Sequence, residues 1–169
     1  MIYKKHIMRT LNKLALEYNK AINSPDVNDP IFCCKLATLE YCGWVEESFD
    51  DIARRAAKGK LKTQPYLDML SSEIKNTHGF SFKKHLRPML SRIIGLVKME
   101  MIENELSQGN TFIMFLNELD TIKRHRDEAA HKWVKDTTAQ YPSPSEVIRS
   151  LEIVYPVTKK MYSCVCGKL

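Results

Sequence analysis

The stretch Arg124-His125-Arg126-Asp127-Glu128-Ala129-Ala130-His131-Lys132-Trp133 gathers an unusual set of reactive side chains. A guanidinium presents a planar fork of donors that fits paired oxygens of a carboxylate or a phosphate. An imidazole ordinarily titrates at about pH 6.5, so it can accept or give a proton close to neutrality. Asp127 and His131 are four apart and therefore neighbours on a helix flank. Arg126 and His131 are five apart, which turns them about 140° from each other around the axis. One straight helix does not aim both at a single small target. A long arginine at the edge of a groove, or two such helices brought together, does.

The helix that must carry these groups announces itself by its apolar period. Phe112, Phe115, Leu119, Ile122, Ala129, Ala130 and Trp133 fall on one face at helical spacing. Arg126 stands in the middle of that face, four after Ile122 and four before Ala130. A guanidinium is costly to bury alone, so this position asks for a carboxylate, a phosphate or a watery crevice between two surfaces. Ala129 and Ala130 leave room around it. The helix is expected to start at Asn110 or Thr111 and to run to about Thr138, followed by a loop over 138–145.

The remainder of the chain has the same periodicity. A first helix carries Ile7, Leu11, Leu14, Tyr18 and Ile22 inward and is closed by the turn at 24–30 with its two prolines. A second helix from about Pro30 buries Cys34, Tyr41, Cys42, Val45, Phe49, Ile52, Ala53 and Ala56. Its opposite face holds Glu40, Glu47, Asp51 and Arg54, and Glu46 borders the apolar side. After the basic connector at 58–63, Thr63 and Pro65 open a short helix with Leu67, Leu70 and Ile74. A fourth helix carries Leu86, Met89, Leu90, Ile93, Ile94, Val97, Met101 and Ile102. A last one begins at Ser145, with Val147, Ile148, Leu151, Tyr155 and Met161 inward and an irregularity expected at Pro156. The expected architecture is a single all-α domain over 1–169, a bundle of five to six helices.

Composition narrows the partners. A formal charge of +6 and a pI near 9.0 suit a polyanion such as nucleic acid. The five cysteines, Cys33, Cys34, Cys42, Cys164 and Cys166, are odd in number and lack paired zinc-site spacing. Small apolar packing in a reducing compartment accounts for them, and a cytoplasmic location is expected. The N-terminal stretch has no unbroken apolar run, so no membrane contact is expected. The sequence contains no HExxH, Walker-type loop or GxGxxG, and metalloprotease and nucleotide-cofactor functions lack support.

Arg126-Asp127-Glu128-Ala129-Ala130-His131 resembles the motif of the HEPN superfamily, an arginine followed by a polar residue and, after four to six residues, a histidine. The segment LEYCGWVEESFDDIARRA at 39–56 is similar to the early acidic helix of these domains. The first choice of branch is the group similar to ribonuclease L and prokaryotic stress proteins. The resemblance implies an HEPN-like bundle, usually a homodimer, that cleaves RNA without metal or cofactor at a cleft shared by paired motif helices. Many members are toxins or effectors of antiviral and anti-phage defence, and some pair with an antitoxin.

On that basis Arg126 would hold the scissile phosphate and His131 would act as general acid or base. Asp127 would orient the imidazole or the opposing arginine. Lys123, Arg124, His125 and Lys132 would track the RNA backbone, with Glu46 reaching the site from the early helix. The alternative is a non-catalytic helical dimerisation or adaptor module, in which Arg126 pairs with an acidic residue across the bundle and His131 is merely exposed.

Overall fold

The computed structural model describes residues 2–131 and 140–166, and these form an all-α bundle. Seven α-helices and one π-turn are found among the described residues. They are α1 (Lys4–Ala21), α2 (Asp29–Ala57), α3 (Gln64–Asn76), the π-turn (Phe82–Leu86), α4 (Arg87–Ile94), α5 (Leu96–Leu106), α6 (Thr111–His131) and α7 (Pro144–Cys164). The expected residues beyond His131, including Lys132, Trp133 and the continuation of that helix to Thr138, lie outside the described residues.

The long helix α2 is the centre of the bundle, with α1, α6 and α7 laid against it and α3 and α4 toward its end. Its sequence explains this position. Cys34, Ala37, Tyr41, Val45, Phe49, Ile52 and Ala56 recur every three or four residues and are all buried. Alanines at 37, 53, 56 and 57 let neighbouring helices approach closely. Tyr41 is fully enclosed and satisfies its hydroxyl by accepting a hydrogen bond from Ser150 Oγ of α7 at 3.2 Å.

Helix boundaries follow local chemistry. α7 begins with a reciprocal capping box: the Glu146 amide donates to Ser143 Oγ, and the Ser143 amide donates to Glu146 Oε2. The helical assignment of α7 continues through Pro156, which lies on the exposed side. The helix expected from Leu86 to Ile102 is instead divided. Gly95 sits at φ +85°, a left-handed backbone that favours glycine, and it separates α4 from α5. The change of direction turns Val97 and Met101 outward and brings Met99, Ile102 and Leu106 into the core. Ile22, expected inward, lies just past the last turn of α1 and is exposed.

An aromatic knot fixes the π-turn to α6. Phe82 meets Phe112 edge-on at 5.3 Å and Phe115 at 6.2 Å, while Phe112 and Phe115 stack at 5.9 Å. Phe115 is fully buried. Phe115→Ala is expected to destabilise the chain by about 3–5 kcal/mol, since the cavity adds to the lost transfer energy. Urea unfolding followed by circular dichroism measures this, and a loss below about 1 kcal/mol would contradict the packing.

Candidate functional site

Along α6 the core-facing residues are Phe112, Phe115, Leu119, Ile122 and Ala129, at alternating steps of three and four. Arg126 occupies the one step of that series left between Ile122 and Ala129. Its side chain lies at the seam between α6 and α2 and keeps 34% of its surface exposed. Ala130, expected on the same face, is exposed instead, because the stripe continues through Ala129.

At the seam Arg126 meets two carboxylates. Its Nη2 donates to Glu46 Oε1 of α2 at 3.4 Å, and its Nη1 donates to Asp127 Oδ1 at 3.2 Å. The other oxygen of Asp127 accepts from the Lys123 ammonium one turn back. The hydrogen bond from Lys123, with Arg126 beside it, holds the Asp127 carboxyl below the usual carboxylate range. Asp127 is therefore engaged by Lys123 and Arg126 of its own helix. Cys42 lies beneath this cluster, and burial pushes its thiol up to about 12. It is packing, as are the other buried cysteines, Cys34 and Cys164.

The other expected site residues divide by direction. Arg124 and His131 are exposed, so both are open to a large ligand or a second chain. His125 turns elsewhere. It lines a crevice with Tyr18, Pro30, Ile31, Cys34, Tyr141 and Glu146, near the start of α2, whereas Arg126 faces the middle of that helix. Its buried Nδ1 has no hydrogen-bond partner among the described residues. His125 thus faces a different crevice from Arg126, because its position on α6 points it at the α7 N-terminus.

One further group belongs beside the seam, and sequence periodicity did not reveal it. His85, on the π-turn, is partly buried and feels the charges of Lys123 on α6 and Glu46 on α2. The run His78-Gly79-Phe80-Ser81-Phe82-Lys83-Lys84-His85 held a signal in its basic residues and two histidines. The five-residue turn that carries His85 depends on Phe82 packing against α6 residues some thirty positions later in the chain.

Among the described residues no group of three or more His, Cys, Asp or Glu is arranged to hold a metal ion. No helix among them is long and apolar enough to cross a membrane. Comparisons with protein-family models, with curated protein sequences and with solved structures find no match for this chain.

Proposed function

We propose that this chain is an endoribonuclease that cleaves RNA without metal, at a site shared between two copies, and that it serves as a toxin or anti-phage defence effector. The observation that carries the proposal is Arg126 itself. A side chain at that step of the α6 stripe would, if apolar, contribute about 1.5–3 kcal/mol by burial. An ion pair a third exposed contributes about 0–1 kcal/mol. Stability alone therefore does not account for an arginine there. A guanidinium held at a seam by two carboxylates, yet open to solvent, is poised to exchange one of them for a phosphate.

The chemistry is a transesterification. The 2′-hydroxyl attacks the adjacent phosphorus, its oxygen–phosphorus bond forms, and the bond to the 5′-oxygen breaks. One proton leaves the 2′-oxygen and another is delivered to the departing 5′-oxygen. His131 supplies the acid–base function, and the His131 of a second copy supplies the complementary half. Arg126 stabilises the extra charge on the phosphorane. Lys123 and Arg124 contact the flanking phosphates. Glu46 and Asp127 position Arg126 before substrate arrives.

The ion pair between Arg126 and Glu46, together with the exposure of His131, also fits the second proposal, a helical dimerisation or adaptor module without catalysis. Total RNA incubated with purified protein, with and without EDTA, separates the two. Cleavage is expected to survive chelation and to leave 2′,3′-cyclic phosphate and 5′-hydroxyl ends. Strict dependence on added magnesium with 5′-phosphate products would replace this chemistry with a metal-dependent one. The absence of any cleavage, with a stable dimer, would favour the adaptor.

A further inference from the structure

His85 is held with more care than a surface histidine needs. Its Nδ1 accepts a hydrogen bond from the Ser81 amide at 3.2 Å, within the same turn in which the His85 and Leu86 amides both donate to the Ser81 carbonyl. Gly79, at φ +94°, packs against the ring so closely that a Cβ there would stand 2.8 Å from Cε1 and 3.0 Å from Nδ1. Glycine suits the position twice, for its left-handed backbone and for the space the imidazole fills, and an added Cβ would push the ring aside. Phe80, Phe82 and Leu86 anchor the segment in the core. Immediately after it Arg87 grips Glu103 through two hydrogen bonds of 2.7 and 2.6 Å. Single π-turns of this kind occur frequently at functional sites.

The geometry fixes the tautomer. A nitrogen that accepts an amide proton cannot carry one, so the proton of neutral His85 resides on Nε2. We infer that His85 is a binding residue of the site, a neutral donor whose Nε2–H contacts a phosphate oxygen of an RNA strand lying along the α2–α6 seam between the π-turn and Arg126. This rests on the RNA proposal above and extends it by naming a second, uncharged phosphate contact on a different element.

The electrostatics agree. Burial first, and then the Lys123 ammonium, hold the His85 imidazole below its ordinary titration range. The charged and titratable groups acting on it are Lys123 from α6, Glu46 from α2, Lys84 from its own turn and His78 from the preceding loop. Three of the four, Lys123, Lys84 and His78, oppose its protonation, and Glu46 favours it. Protonation of Nδ1 would also break the Ser81 hydrogen bond. Both effects favour the neutral donor over the protonated ring.

The probe for this contact is a fluorescent single-stranded 2′-O-methyl RNA, which binds without being cleaved, titrated by anisotropy into the full chain. His85→Ala is expected to weaken binding on the order of 10-fold, the effect of one hydrogen bond to a charged group. His85→Gln, which keeps an uncharged donor, is expected to recover most of that loss. Gly79→Ala, which displaces the ring, is expected to resemble His85→Ala while leaving the helical circular dichroism unchanged. Long-range proton–nitrogen correlation of the free protein reports the tautomer independently of RNA and is expected to show Nδ1 unprotonated at pH 7. If wild type binds the probe and His85→Ala binds equally well, this inference falls while the RNA proposal stands. If wild type does not bind, both fall. A His85 ring protonated on Nδ1 overturns the neutral-donor assignment whatever the binding result.

Discussion

His131→Ala is expected to lower the rate of RNA cleavage by about 10²- to 10⁴-fold, the range by which a positioned acid–base group accelerates a reaction. The fold should survive the change. His131 is exposed at the end of the described part of α6, and Ala129 is the last buried position of that helix among the described residues. An exposed substitution away from caps and core usually moves stability by less than about 0.5 kcal/mol. The melting temperature and the oligomeric state of the variant are therefore expected to match wild type while cleavage of a defined oligoribonucleotide disappears. Because structure and activity separate at this residue, the result is interpretable in either direction. Full activity in purified His131→Ala would remove the histidine from the chemistry and, with it, the assignment of general acid and base.

How far the site was legible in the sequence depends on the distance over which each feature is encoded. Arg126 stood out because a period of three and four is local, and a single charged side chain interrupts it visibly. Glu46 was legible as a border residue of α2 on the same principle, and its meeting with Arg126 across the seam agrees with that position. The divided α4–α5 was not legible from the apolar pattern alone. Leu86 to Ile102 keeps a helical period across Gly95, and it is the positive φ of that glycine that divides the helix, with Val97 and Met101 outward. The separation of His125 from Arg126 has a different reason. Adjacent residues on a helix differ by about 100°, so a neighbour of Arg126 in sequence faces another element in space. His85 was hidden most deeply, since its position depends on Phe82 reaching Phe112 and Phe115 far along the chain.

Arg126→Ala is expected to lower cleavage by about 10²- to 10³-fold, as removal of one donor to a developing oxyanion does elsewhere. Its combination with His131→Ala tests whether the site is shared. Arg126 points into the seam toward Glu46, and His131 is turned about 140° from it on the same helix. A single chain therefore presents the two groups on different sides, and a two-fold axis can set the arginine of one copy near the histidine of the other. Ala129 is buried within the chain, so in such a dimer Ala130 alone of the two alanines would be exposed to permit close approach. Two Arg126 side chains facing one groove would repel, but each arrives with Glu46 and Asp127 already beside it, so two arginines approach with their charge largely offset. In mixed dimers of Arg126→Ala with His131→Ala, one intact arginine and one intact histidine remain. If the cleft needs one of each, activity is expected to return toward a statistical fraction of wild type, although each homodimer is dead. If both histidines are required, one as acid and one as base, the mixture stays inactive while light scattering still reports dimers. A chain that remains monomeric at micromolar concentration and still cuts RNA would refute the shared site, and the orientation of His131 relative to Arg126 would then require a different partner for each.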